Sequence, residues 1–188
     1  MLAFSNSRLR VLTSGLMVIC YLVLAGCTGI PEGLKPVSEF EPNRYLGKWY
    51  EIARLDHSFE RGLSHVSAEY SLREDGGLRV INRGYDVNSS EWSTAEGKAY
   101  FVRDKNQGYL KVSFFGPFYG SYVVFELDTD NYQYAFVTSN TKNFLWLLAR
   151  TPEVSSELKT RFISHVNNLG FDTDAIIFVD QNHNRNSR

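Results

Sequence analysis

Asp56, His57 and Glu60 fall within five residues of one another, and His65 follows closely. A histidine beside carboxylates can move protons or contribute to a metal site. The spacing, however, matches no dedicated metal motif, and the chain holds no Gly-x-Ser-x-Gly elbow and no glycine-rich phosphate loop. Glu51 and His57 are left as bases that an enzyme would use, and the plainer reading is a charged, solvated loop. On this reading no catalytic residue, no metal ligand and no cofactor is assigned.

The two cysteines carry a different chemistry. Arg8 and Arg10 precede an apolar run over 11–24 that is too short to span a membrane comfortably, so 1–26 reads as a signal peptide. It ends in Leu24-Ala25-Gly26-Cys27, which resembles the lipobox of bacterial lipoproteins. That resemblance implies cleavage before Cys27 and acylation of its thiol. The competing reading is an ordinary secretory signal with an incidental cysteine. Thr28, standing where an Asp would favour the inner membrane, implies the outer membrane by the same resemblance. Each buried methylene of such an anchor contributes roughly 0.8 kcal/mol, so several acyl chains hold firmly. Cys20 leaves with the signal, so no thiol remains for a disulfide or for catalysis. Losing Arg8 and Arg10 leaves 18 basic against 21 acidic residues, a formal charge of −3, with no basic footprint for nucleic acid.

The elements that must position these groups are strands. The 13 Phe, 11 Tyr and 3 Trp suit half-buried pleated surfaces and ligand pockets alike, so composition does not choose between them. Proline and glycine punctuate 27–42, which reads as a lipidated N-terminus and tether. The domain spans 43–180. It opens on Gly47-x-Trp49, where a glycine permits close backbone approach and an indole plugs the start of a strand. Strands are expected over 48–55, 66–72, 78–83, 91–102, 109–115, 122–127, 132–138 and 144–150, with Asp75-Gly76-Gly77 as the sharpest hairpin signal. In the fourth strand Ala95, Gly97 and Ala99 face inward and leave room. The loop 116–120 is unusually apolar. After Thr151-Pro152 the apolar period changes to that of a helix ending at Gly170. A short ninth strand over 176–179 and a polar tail over 181–188 with nothing to bury complete the chain. The fold class is therefore all-β: an eight-stranded up-and-down antiparallel barrel with one C-terminal helix.

With that element order and Gly47-x-Trp49, the chain resembles the lipocalins, and within them the bacterial outer-membrane lipoprotein members, with the apolipoprotein D type more distant. The carrying motifs are Gly47-Lys48-Trp49-Tyr50-Glu51-Ile52-Ala53-Arg54, Phe59-Glu60-Arg61-Gly62, 111–120 and 145–152. The resemblance implies that Arg150 lies across the indole of Trp49, so Gly47, Trp49 and Arg150 close one end of the barrel. A second family motif, Thr-Asp-Tyr, is departed from: only Asp128 is retained in Leu127-Asp128-Thr129, which weakens any receptor role for that turn. The resemblance also implies a long-chain fatty acid or lysophospholipid as ligand, held at the outer membrane with the barrel facing the periplasm.

Strand direction places the binding end opposite Trp49. Val66, Ala68, Asn82, Phe114, Val123, Phe125, Phe144 and Trp146 are expected to line it, with Asn82 the clearest polar contact for a head group. They suit an acyl chain, or they simply fill the barrel. Phe115, Phe118 and Tyr119 at the mouth are read as a gate, a membrane contact or a homodimer contact. An enzyme acting on a bound lipid, through Glu51 or His57, is the remaining alternative.

Overall fold

Alternating patterns this short cannot bury an apolar face alone, and here they do so by closing on themselves. The computed structural model describes residues 28–182, so residues 1–26, expected to be a signal peptide, Cys27 and residues 183–188 lie outside it. Nine strands form one antiparallel sheet: β1 (Gly47–Leu55), β2 (Leu63–Leu72), β3 (Leu78–Asp86), β4 (Glu91–Phe101), β5 (Tyr109–Ser113), β6 (Gly120–Leu127), β7 (Tyr134–Thr138), β8 (Leu145–Ala149) and β9 (Ile176–Phe178). Consecutive strands pair from β1 to β8, and β1 also pairs with β8, so the expected eight-stranded barrel is closed. Closure removes the exposed edges that a long antiparallel sheet would otherwise present.

β1 serves three neighbours by dividing its length. Its first residues, Gly47 to Tyr50, pair with β2, and its last, Ala53 to Leu55, pair with β9. Its register against β8 shifts between Glu51 and Ala53, a bulge that re-aims the side chains beyond it. Above Tyr50 the seam between β1 and β2 is held by the C-terminal segment. Gln181 Nε2 donates to Glu51 O at 2.7 Å and Val66 O at 2.9 Å, and His65 N donates to Asp180 O at 2.8 Å. The first residue of the supposed free tail is thus a structural tie.

Helix α1 (Pro42–Tyr45) lies below the barrel, and α2 (Ser156–Asn168) packs on its outer wall. α2 starts where Ser155 Oγ accepts from Leu158 N at 3.2 Å, an N-cap that satisfies one orphan donor of the first turn. Phe162 and Val166 on its inner stripe are buried against Ile52, Phe136, Leu145 and Leu147. Both faces of β1, β7 and β8 are consequently covered. Residues 28–41, which composition reads as a tether, are packed down: Leu34 and Phe40 are buried, Val37 N donates to Val124 O at 2.9 Å and Phe40 N to Asn106 O at 2.8 Å.

The closed end is organised by Trp49, which is fully buried and donates from Nε1 to Tyr45 O at 2.8 Å. Gly47 adopts φ +88°, a left-handed turn that favours glycine, directly under the Arg150 side chain. The Arg150 guanidinium stands 3.9 Å from the Trp49 ring centre and donates to Lys48 O, Arg44 O and Tyr132 O. One cation thereby covers the indole and ties α1, β1 and the β6–β7 turn together. Trp49→Ala is expected to lower unfolding stability by roughly 3–5 kcal/mol, as other large buried aromatics do. Arg150→Lys keeps the charge but loses the planar fork and is expected to cost about 1–2 kcal/mol. Urea unfolding checks both, and a Trp49→Ala loss below that of Arg150→Lys would contradict the assignment.

Candidate functional site

The lower half of the barrel is filled by its own side chains. Tyr45 and Tyr122 hydroxyls lie 2.7 Å apart, and Tyr70 OH donates to Tyr122 OH at 2.8 Å, among buried Trp49, Leu78, Val80, Leu110 and Leu148. Burial raises the pKa of all three phenols, Tyr45 and Tyr122 furthest, so they stay neutral. The room expected beside β4 is also taken up in part. A Cβ on Gly97 would stand 2.8 Å from the Phe114 ring, so the glycine exists to admit that ring rather than to leave a void.

The upper half gathers most of the residues expected at the binding end. Ala68 faces in between Trp49 of β1 and Asn82 of β3, and Val66 lies against Gly84. Phe114 packs inward just past β5. Phe144 stands just before β8 and stacks on Trp146 at 6.1 Å. Two residues do not belong to this set. Tyr122 and Val124 point inward, so Val123 between them is buried on the outer wall, and Phe125 stacks against His165 of α2 and against Phe171. The run Tyr122-Val123-Val124-Phe125 is apolar throughout because both of its faces are covered. Alternation therefore carries no phase there.

The loop 56–62 is the larger correction. It was expected to be solvated, yet His57 and Glu60 are buried, while the Asp56–Arg61 pair, at 2.6 Å, stays in water as expected. The cause is Arg54. The β1 bulge brings Glu51 and Arg54 to the same inner face, where Arg54 Nη1 donates to Glu51 Oε1 at 2.6 Å. Its Nη2 donates to Glu60 O at 2.9 Å and Leu63 O at 3.2 Å, which draws the loop into the mouth. Glu60 Oε2 then accepts from Trp146 Nε1 at 3.0 Å. The His57 ring stacks between Phe59 and Phe144, with ring centres 5.3 and 4.8 Å away, and leans on Trp146. His65, which sequence groups with His57, turns away to Ser64, Tyr85 and Trp92.

This buried cluster is electrostatically poised. Burial and the neighbouring Glu60 carboxyl push Glu51 up to about 8, against the pull of Arg54. Glu60 is raised by burial, with Trp146 and Arg54 opposing. Burial, reinforced by Arg54, depresses His57 to about 4. At neutral pH the cluster thus offers a protonated carboxyl, a neutral imidazole and one guanidinium. Arg54 Nε, His57 Nε2 and Asn82 Oδ1 are buried without a hydrogen-bond partner. Open depressions on the surface lie instead along the outer side of α2 and under the N-terminal segment near Arg103, both outside the barrel.

A closed eight-stranded barrel plugged by Gly47-x-Trp49, covered by an arginine from the end of β8 and flanked by one helix, defines the lipocalin class. Residues 40–181 match the lipocalin-like domain, and the chain belongs to that family. It is 61% identical to the outer membrane lipoprotein Blc of Vibrio cholerae over 165 residues, covering 88% of this chain and 96% of that protein. The Blc of Escherichia coli K12 is 50% identical over 151 residues, 80% of this chain and 85% of that one. Apolipoprotein D of Bos taurus is 33% identical over 175 residues, 84% and 91% of the two chains. Among solved structures, insecticyanin of Manduca sexta superposes with a TM-score of 0.65 at 20% identity, over 82% of this chain and 88% of that one, which speaks to the fold alone.

Sequence reasoning named Glu51, His57 and Glu60 but placed the latter two in solvent, and it passed over Arg54 as a charged residue in a strand. Arg54 is three residues from Glu51, an odd separation that puts them on opposite faces unless a bulge intervenes, and no residue type announces that bulge. The titration of Glu51 has a signed consequence. Its folded pKa exceeds its unfolded one, so the native state binds more protons and stability falls as pH rises toward 8. His57 acts in the opposite direction, but only between about 4 and 6.5. From pH 6.5 to 8 the carboxyl effect stands clear, and the protein is expected to lose roughly 1–2 kcal/mol. Glu51→Gln, which still accepts from Arg54, should flatten that slope in pH-dependent urea melts; an unchanged slope would contradict the assignment.

Proposed function

We propose that the protein is an outer-membrane lipoprotein, acylated at Cys27 and exported by the segment 1–26, whose barrel holds a single-chain lipid such as a fatty acid or lysophospholipid. Its role would be storage, transport or maintenance of outer-membrane lipid, with the barrel facing the periplasm. The observation that carries this reading is the contrast within the barrel: the floor is filled with tyrosines, and the mouth half pairs aromatic walls with buried polar atoms that lack partners. An acyl chain would lie along Val66, Ala68, Phe114 and Trp146. Its polar head would reach Arg54, His57 and Asn82: a carboxylate or phosphate oxygen would accept from Arg54 Nε, and Asn82 Oδ1 would accept from a head-group hydroxyl such as that of a lysophospholipid. The names of the Vibrio and Escherichia relatives support the membrane location.

Binding requires the loop 56–62 to yield, since Arg54 now holds it across the mouth. The same loop favours a second reading, a filled structural barrel that takes no ligand. A third, an enzyme using His57 or Glu51 as a base, has His57 stacked between aromatic rings and Glu51 protonated and bonded to Arg54, and the non-enzymatic reading is preferred. Titration with a fluorescent long-chain fatty acid separates the first two. Binding should quench tryptophan emission, and Trp146→Ala should weaken affinity about tenfold, the loss of a large apolar wall contact. No quenching in the wild-type protein would favour the filled barrel. Fatty acid released from phospholipid, and abolished by His57→Ala, would favour the enzyme.

A further inference from the structure

β1 rises from the Trp49 end, so each odd-numbered strand up to β7 ends at the open mouth and each even-numbered one starts there. The loops 56–62, 87–90, 114–119 and 139–144 therefore surround the mouth. Five of the exposed large apolar side chains stand in or beside these loops: Phe59, Val87, Trp92, Phe115 and Phe118. Phe115 and Phe118 are the most exposed, at 80% and 77%, and both sit on the turn between β5 and β6. The opposite end exposes Leu72 and Val102 alone among the described residues of this kind.

The N-terminal segment runs toward the same turn. Val37 N is bonded to Val124 O in the lower part of β6, and nine residues earlier Thr28 O accepts from Tyr109 OH. Gly29 O accepts from Ser121 Oγ at 2.6 Å, and Ser121 is the second residue of β6. Traced back from Val37 to Thr28, the chain climbs the outer wall of β5 and β6 toward the mouth. Cys27 is the next residue. A lipid on that cysteine would leave the protein at the rim on which Phe115 and Phe118 project.

We propose that the barrel stands mouth-down on a phospholipid bilayer, with Phe115 and Phe118 seated at the boundary between head groups and acyl chains beside the acylated Cys27. The proposal rests on the acylation put forward above. Two fully buried Phe side chains add substantially to the hold of the anchor, and Tyr119, with Lys111 Nζ 5.0 Å from its ring centre, suits the polar side of that boundary. In this pose a single-chain lipid passes between bilayer and barrel without crossing water, through the loop that Arg54 latches. The lipid surface, rather than a second copy of the chain, is favoured because the covalent anchor emerges on this rim.

The test is a pair of spin labels on the acylated protein in vesicles of phosphatidylethanolamine and phosphatidylglycerol. With Cys27 acylated and Cys20 removed with the signal, Phe118→Cys and Glu74→Cys each give one reactive thiol, at the mouth and in the β2–β3 turn. The label at 118 should collide more with dissolved oxygen than with an aqueous nickel chelate, and the label at 74 the reverse. A water-accessible label at 118, or one at 118 shielded from both reagents as a contact between copies would produce, overturns the proposal. As a second measure, the soluble Cys27→Ser protein should sediment with these vesicles, and Phe115→Ser/Phe118→Ser should reduce that at least tenfold; undiminished sedimentation overturns it. Neither measurement uses a barrel ligand, so failure here is distinct from failure of the lipid-holding function.

Discussion

The pairing of β1 with both β2 and β8 is the constraint on which the rest of the molecule depends. It joins the first strand to the last and turns a sheet with two open edges into a barrel with an inside. Trp49 sits where that joint is tightest, opposite Ala68 in β2, and Arg150 at the end of β8 returns to cover it. The three carbonyls that Arg150 bonds come from α1, β1 and the turn before β7, so the closing contact also fixes what lies below the barrel. Higher up, β1 cannot keep pairing with β2 and at the same time meet β9. The seam that opens is held by Gln181 and crossed by Arg54.

This division of β1 gives the barrel two chemically different halves. Below, three neutral tyrosine hydroxyls and a packed aromatic floor contribute stability and hold nothing. Above, one bulge brings an acid and a guanidinium inward, and the guanidinium pulls a loop over the mouth through backbone carbonyls. Burying two carboxyls beside a single cation is costly unless one of them keeps its proton, which is the state favoured for Glu51. A buried, charge-assisted hydrogen bond of this kind is weak evidence for stability but strongly directional. It positions His57, Glu60 and Trp146 around one volume at the mouth.

The architecture was legible wherever one face of a strand is wet. Val66, Ala68, Tyr70 and Leu72 alternate with polar neighbours, Asp75-Gly76-Gly77 marks its hairpin, and Gly47-x-Trp49 marks the closed end, so barrel and family follow from the sequence. Legibility failed where burial is two-sided or where a backbone irregularity changes the period. Val123 and Phe125 were assigned inward because helix α2 and the N-terminal segment make the outer wall of β6 as apolar as the inner one. His57 and Glu60 look like solvent residues, since their burial is enforced by Arg54, whose own orientation depends on the bulge at Ile52. Gln181 looks like the start of a tail because its partners are main-chain carbonyls, which leave no trace in side-chain patterns.

The central claim is that the mouth half of this barrel holds a single-chain lipid whose head meets Arg54 and its neighbours. Mass spectrometry of the protein extracted intact from its native membrane addresses it most directly. The account predicts a fatty acid or lysophospholipid recovered at near one per barrel from the wild-type protein and strongly depleted when Arg54 is replaced by Gln in a protein that remains folded. Recovery of no lipid, or equal recovery from both proteins, would contradict it.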